Sequence, residues 1–364
     1  MDEVIKKVAA LGLPGVVLVI TMAATGLTGA AAITAALAFL GGPAGMLGGI
    51  AVLGLTGLIT ATVLQREGIK VTVLDKGRGI GGRLATRRIN RGQPNEGIFD
   101  YGTQYFSVEQ TQFRVWVDEW LRQGVIKEWC RGFGEADGKP RYCGVGGTRA
   151  IAKYLATDLD VHTSTRVLRI KYGDRWLVET EKQQYEGDIL VMTPPVPQSL
   201  ALLDTSEIVL PPKIESSLRE VSYHSCIAVL ALLEQPSLIP QPGGIALENE
   251  ALVWLADNYQ KGISPDGYAV TLHATPKFSD AYWDRDDGEI AELLLNAASD
   301  YLGSTAIAHR VHRWRYSLPK TFYSKPSLAL SEIPLVMAGD AFVAPNIEGA
   351  VLSGMAAGEA IIGK

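Results

Sequence analysis

Ile69-Lys70-Val71-Thr72-Val73-Leu74-Asp75-Lys76-Gly77-Arg78-Gly79-Ile80-Gly81-Gly82-Arg83 reads as a buried strand that ends in a carboxylate and runs into a glycine-rich, arginine-bearing loop. Upstream, Gly57 to Glu67 reads as a helix closed by Gly68, and Ile50-Ala51-Val52-Leu53 as a first strand. Strand, glycine turn, helix, strand, acid is the order of a dinucleotide-binding βαβ unit. Gly54 and Gly57 take the second and third fingerprint positions, where bare backbone approaches a pyrophosphate at a helix N-terminus, and Ala61 suits close helix-on-sheet packing. Val52 falls where the first glycine belongs, and a side chain there opposes the sharp turn. Asp75 follows at roughly the spacing of the acid that accepts from ribose hydroxyls. The expected fold class is α/β, with a Rossmann-type nucleotide-binding domain.

Further upstream the character changes. No Asp, Glu, Lys or Arg occurs from Val8 to Leu64. Leu13–Leu40 is long enough to cross a bilayer, and Ala44–Leu64 allows a second crossing after the Gly41-Gly42-Pro43 break. Basic residues flank both sides, which favours both ends being cytoplasmic. A lipid-spanning helix and a sheet strand exclude each other, so residues 1–48 are read as an apolar, membrane-associated candidate segment and Gly49 onward as soluble. A buried Ala/Gly-rich hairpin or a fused segment is the alternative, and a chain lacking residues 1–48 is expected to fold. The expected location is the cytoplasm, with attachment to the cytoplasmic face of a membrane.

The chain has 364 residues and a formal charge of −5, which argues against nucleic acid as main partner. Cys130, Cys143 and Cys226 form neither a zinc-like pattern nor an even disulfide set. His309 and His312 are three apart in a strand-like stretch and would point to opposite faces, so no metal site is expected.

Asp75 to Arg88 continues into Phe99-Asp100-Tyr101-Gly102-Thr103-Gln104-Tyr105-Phe106, Tyr142 to Thr148, Val191 to Gln198, Met337-Ala338-Gly339-Asp340 and Asn346 to Gly354. In these blocks the chain resembles the renalase-like branch of the flavin-dependent amine oxidase superfamily. The resemblance implies non-covalently bound FAD, with cofactor contacts at Gly54, Gly57, Asp75, Lys76, Gly81, Gly82, Arg83, Gln104, Tyr105, Val167, Thr193, Gly339, Asp340, Glu348, Gly349 and Ala350. Arg83 would grip the diphosphate and Asp340 the ribityl chain. Gly349 and Ala350 would offer N–H groups to the flavin pyrimidine at a helix N-terminus, leaving room for the ring. A glycine-rich helix that merely packs on the sheet is the competing reading.

The FAD domain is expected to be discontinuous (residues 49–104, 142–203 and 326–364), with an inserted antiparallel-sheet substrate domain over 105–141 and 204–325. Tyr105 to Arg141 reads as helical, with Trp116 and Trp120 on one face as core and Trp129 beyond. Strands are expected at Ser225–Glu234, Ala251–Asp257, Tyr268–Ala274 and His309–Ser317, and a helix at Asp287–Tyr301. His273 is either a pocket residue, as its block's resemblance suggests, or a half-buried strand histidine bonded to backbone. Trp254, Tyr223 and Trp314 are candidate aromatic walls for a flat substrate. No protein base is required if a neutral donor delivers hydride. The resemblance implies a small-molecule dihydronicotinamide donor (NAD(P)H or its isomers) with oxygen as acceptor. Amine oxidation and lipid desaturation are the alternatives within the superfamily. A degenerate, membrane-tethered scaffold is the alternative outside it.

Overall fold

The structure, a computed structural model, describes residues 15–20, 54–133 and 138–363. The chain divides into two compact units, one of residues 1–82, 152–223 and 318–364, the other of 83–151 and 224–317. In the first, a six-stranded sheet has the order Leu328–Ala329, Leu335–Met337, Ile189–Met192, Gly15–Ile20, Lys70–Asp75, Asp160–His162. The last five run parallel, and only Leu328–Ala329 is antiparallel. Ile189–Met192 and Leu335–Met337 are buried throughout, which is why they read as unbroken apolar runs.

The position beside Lys70–Asp75 is filled by Gly15–Ile20, in register from Gly15↔Lys70 to Ile20↔Asp75. This corrects the reading of the leader. The strand expected at Ile50–Leu53, with Val52, lies outside the described residues. Gly15–Ile20 falls inside the supposed Leu13–Leu40 crossing, and hydrogen bonds to Ile189–Met192 on its other side. An inner strand of the sheet replaces a membrane helix there. Among the described residues no helix is long and apolar enough to cross a membrane.

Two helices cross within this unit. Leu55–Arg66 starts at Gly54 and is followed by Gly68 at φ 76°, the left-handed conformation that favours glycine. Ile347–Ile362 lies against it through Gly354 and Gly358, four residues apart on one face. A Cβ on Gly354 would stand 2.6 Å from the Thr56 carbonyl oxygen, and one on Gly358 2.6 Å from Val63 Cγ1. Thr60 Oγ1 donates to the Gly354 carbonyl at 2.9 Å across this contact. Beneath the sheet, Val196–Thr205 and Pro212–Arg219 bury Leu200, Leu203 and Leu218 with Leu190, Met192 and Met337.

The second unit is built on an antiparallel sheet of order Gly244–Ala246, Leu252–Asp257, Tyr268–Ala274, Tyr223–Leu233, Ala306–Pro319. Ile227, Val229, Ala231 and Leu233 pack with Ile290 and Leu294 of the helix Asp287–Ala297. Leu230 and Leu232, on the opposite face, pack with Ile89 and Phe99 of the hairpin Thr86–Ile89/Gly97–Asp100. That packing draws Arg83–Gln104 into the second unit, while the 190s–200s core draws Asp204–Tyr223 into the first. The unit boundaries therefore fall elsewhere than the sequence suggests. The expected helix at Asp287–Tyr301 is broken into Asp287–Ala297 and Ser299–Leu302. Trp129 lies on the strand Ile126–Cys130 rather than in a helix, whereas Trp116 and Trp120 are core residues of Thr111–Arg122.

Candidate active site

In the first unit the carboxyl ends of parallel strands collect the residues that sequence singles out, as ligand sites in open α/β sheets require. Gly54 caps Leu55–Arg66 with no side-chain bond, and the first turn holds no acidic residue, so the helix N-terminus is electrostatically open to an anion. Gly57 N–H bonds the Gly54 carbonyl at 3.1 Å. Asp75, 1% exposed, ends its strand and accepts from Gly77 N–H at 2.7 Å. Gly81 and Gly82 have φ of 114° and 52°, so the loop needs glycine at both. The turn after Asp75 is tied to residues 164–165, with Ser164 N–H donating to the Gly77 carbonyl and Thr165 N–H to that of Asp75, each at 2.8 Å. Burial and the neighbouring Arg166 guanidinium push the Lys76 ammonium down to about 6, against the pull of Asp75. Arg166 Nε is itself buried without a hydrogen-bond partner. A buried lysine crowded by Arg166 beside a strand-end carboxylate gains its proton back when an anion approaches, which fits the phosphate- and ribose-bearing half of a dinucleotide.

Val167 opens the strand Val167–Tyr172, fully buried, and Thr193 follows Ile189–Met192 with a buried hydroxyl that lacks a partner. Gly339 N–H donates to Ser353 Oγ at 2.9 Å, which positions the turn that begins with the buried Asp340. Gly349 and Ala350 stand in the first turn of Ile347–Ile362, at the helix N-terminus where the sequence places them. Asn346 caps Ile347–Ile362, its Oδ1 accepting from Gly349 N–H at 2.7 Å and its carbonyl from Ala350 N–H at 3.1 Å. Both groups are engaged within the helix start. Gly349 is small because a Cβ would fall 2.1 Å from the Ala344 carbonyl oxygen, and Gly354 because of the crossing helix. Glu348, between them and the cap, is buried. Arg83 Nη1 donates to the Ser317 carbonyl at 2.8 Å inside the second unit, so part of the guanidinium expected on a diphosphate holds the strand Ala306–Pro319.

In the second unit three of the four catalytic candidates come together. Trp254 and His273 are cross-strand partners and share a face. His312 and Trp314 share a face of their strand by its two-residue period. Tyr101, which sequence reasoning did not single out, joins them. Its carbonyl meets His273 Nε2 at 3.1 Å and accepts from Trp314 Nε1 at 2.8 Å. Its ring stacks on Trp314 at 5.3 Å and meets the His312 ring edge-on at 4.8 Å. His273 is thus a strand histidine bonded to backbone, and burial lowers its basicity to about 4. His312, 4% exposed and with neither ring nitrogen hydrogen-bonded, is lowered to about 3 by burial and then by Arg87 and Arg313. Tyr223 is the exception. It belongs to the first unit, where its hydroxyl accepts from Val196 N–H at 3.4 Å.

Gln104 and Tyr105 are held by an ion pair the sequence did not reveal. Lys261 Nζ lies 2.8 Å from Asp100 Oδ2, both side chains fully buried, and 2.5 Å from the Gln104 carbonyl oxygen. Asp100 Oδ1 accepts from Thr86 Oγ1 at 2.7 Å and Thr148 N–H at 2.8 Å. Tyr105 enters a cluster of half-buried rings with Trp254 at 5.6 Å and Phe133 at 4.9 Å, Phe133 also meeting Trp129 at 5.0 Å. A fully buried strand, Gly97–Asp100, that ends in a carboxylate is the one sequence signal that a cationic partner was needed; nothing local pointed to Lys261.

An open helix N-terminus with a strand-end acid, joined in one chain to an antiparallel sheet bearing aromatic rings, defines a flavoprotein oxidoreductase. The chain belongs to the flavin-containing amine oxidoreductase family, whose profile matches residues 95–362; a NAD(P)-binding Rossmann-like domain matches 48–120. It is similar to the renalase of Mus musculus, 24% identical over 327 residues that cover 83% of this chain and 94% of that protein. Its fold is similar to that of cyclohexylamine oxidase from Brevibacterium oxydans (TM-score 0.65, 13% identity, 96% and 99% of the two chains). It is likewise similar to a putrescine oxidase (TM-score 0.65, 14% identity, 86% and 98%). The protein is an FAD-dependent oxidoreductase of this superfamily.

Proposed function

We propose that this enzyme takes a hydride from a neutral, flat dihydronicotinamide and passes the electrons to oxygen. The observation that carries the reading is the chemistry of the second unit's candidate face. Its rings are half-buried, while its buried carboxylate, Asp100, is already neutralised by Lys261 and by two threonines. A donor that binds as an ammonium needs an anion or several acceptors; Lys261 over Trp129 is taken up by Asp100, and the charge over the Tyr101 ring is a cation, Arg87 at 5.2 Å. An uncharged heterocycle suits that surface better than an amine. The resemblance to renalase-like enzymes supports the same donor class.

Bound FAD, held non-covalently, supplies the two-electron acceptor. The chain's own residues bind, orient and exclude water. Asp75, Lys76 and the N-terminus at Gly54 hold the nucleotide end. Trp254 and Tyr105, half-buried, offer ring faces to the donor, and the buried Trp314 backs Tyr101. His273 and His312 stay neutral near pH 7, so neither adds a charge that would oppose a developing nicotinamide cation. Anaerobic mixing of the purified yellow enzyme with NAD(P)H and its 2- and 6-dihydro isomers is expected to bleach the flavin, and air to restore it with release of peroxide. Bleaching by putrescine or cyclohexylamine with none by dihydronicotinamides would move the activity to amine oxidation.

A further inference from the structure

Arg87 is an arginine without a counter-charge. It lies on the hairpin strand Thr86–Ile89 as the cross-strand partner of Phe99, two residues before Tyr101, so Arg87 and Tyr101 share a face. Its guanidinium sits 5.2 Å over the Tyr101 ring. Other arginines nearby are matched, Arg88 with Glu96 and Arg313 with Asp287. Arg87 makes no ion pair or hydrogen bond with any described residue. The Tyr101 hydroxyl likewise bonds to none of them, although the ring stacks on Trp314 and the carbonyl meets His273 and Trp314. Neither residue is sealed from solvent, for both are half-buried. A guanidinium stacked on a ring keeps its N–H edge free, so a cationic fork and a phenol O–H stand side by side. The surroundings are positive as well. His312, edge-on to the Tyr101 ring, loses basicity to burial and then to Arg87 and Arg313, and no carboxylate among the described residues pulls the other way. A half-buried cation with no anion beside it calls for an explanation.

We infer that Arg87 and the Tyr101 hydroxyl form an anion subsite for the phosphate of the electron donor, which makes the donor a dihydronicotinamide nucleotide. The inference rests on the dihydronicotinamide reading and deepens it, because it names the form of the donor that is recognised. Phosphate suits this pair, since its oxygens accept from the guanidinium fork and from the hydroxyl together. The subsite also lies on the donor side of the second unit. The Tyr101 carbonyl holds His273, and His273 is the cross-strand partner of Trp254, whose ring is offered to the nicotinamide. One hydrogen bond and one cross-strand step of about 5 Å separate the two, a span of the kind a ribose bridges. Both residues act in binding, away from the hydride.

The experiment uses the holoenzyme with the mononucleotide and the riboside of the dihydronicotinamide isomer that bleaches the flavin fastest. The two differ only in the phosphate. Anaerobic reduction is expected to half-saturate at about tenfold lower concentration with the mononucleotide. Arg87→Gln should erase that difference, and Tyr101→Phe, which keeps the ring, should narrow it. A merely structural role would move both donors alike. A second measurement needs neither a variant nor turnover. Phenylglyoxal, which modifies accessible arginines, is expected to label Arg87, as read by peptide mass. Inorganic phosphate should slow that labelling, and sodium chloride at equal ionic strength should not. Equal half-saturation by the two donors overturns the subsite and leaves the donor reading standing. An Arg87 that phosphate does not protect also overturns it. So does an Arg87→Gln enzyme that sheds FAD yet still prefers the mononucleotide, for then Arg87 serves the cofactor. Phosphate protection of Arg87 in an enzyme that no dihydronicotinamide reduces keeps the subsite and removes the proposed donor.

Discussion

At the scale of single residues, the Asp100–Lys261 pair organises the second unit's candidate face. Lys261→Met leaves a carboxylate fully buried without its cation, a change that typically costs about 3–5 kcal/mol. Urea unfolding should show that loss, and Asp100→Asn in the same chain should recover part of it. His312 gives a pH signature. Its imidazole is held at about 3 in the folded protein against an ordinary value of 6.5, so between those limits the unfolded chain binds more protons. Stability from this group is complete above 6.5 and falls as the pH drops, by about 2 kcal/mol on reaching pH 5 at ~1.4 kcal/mol per pH unit. His312→Phe fills the same edge-on slot between Tyr101 and Trp314 and removes two unpartnered nitrogens. Its melting temperature should match or exceed the parent's at pH 7 and fall less on acidification. Legibility at this scale follows range. Gly81 and Gly82 announce a local backbone need and were read from sequence. The partner of Asp100, distant along the chain, carries no local mark.

At the scale of elements, the two-residue alternation and unbroken apolar runs made the strands legible. Tyr268–Ala274 stands where expected. Gly244–Ala246 was not anticipated, since three residues are too few to show a period. The start of the Ile347–Ile362 helix at Gly349 and Ala350 was legible, but what each of its glycines makes room for was not. A ligand and a crossing helix both demand a missing side chain, and the residue type does not distinguish them. Here Gly354 serves the crossing, with the Thr56 carbonyl and Ile59 closing over it. Gly354→Val should therefore lower stability by about 1–3 kcal/mol or more through overpacking. Because Leu55–Arg66 would be pushed at the turn that starts at Gly54, the variant should also release FAD faster on dialysis. A Gly354→Val protein with the parent's melting temperature would contradict the packing role.

At the scale of the whole molecule, the decisive misreading lies in the leader, and its cause is visible in the chain. Gly-Leu-Thr-Gly occurs twice, at Gly26–Gly29 and at Gly54–Gly57, each with an apolar strand-like stretch before it. Local pattern paired the second copy with the nearest candidate, Ile50–Leu53. The sheet uses the farther one, because only long-range pairing decides which strand joins Lys70–Asp75 to Ile189–Met192. Charge-free composition then favoured a membrane reading, since an inner strand of a parallel sheet is as apolar as a lipid-facing helix. The consequence is testable and reverses the expectation for the truncated chain. Without residues 1–48 the sheet loses an inner strand and splits between Ile189–Met192 and Lys70–Asp75, so the protein should not retain FAD and should fail to unfold cooperatively. Val17→Pro probes the same point by one substitution. Val17 is paired with Leu190 on one side and Thr72 on the other, and proline is confined to sheet edges because it removes a ladder donor. The variant should lose FAD and the cooperative transition together. A truncated chain that is yellow and melts like its parent would hand that place in the sheet to another segment.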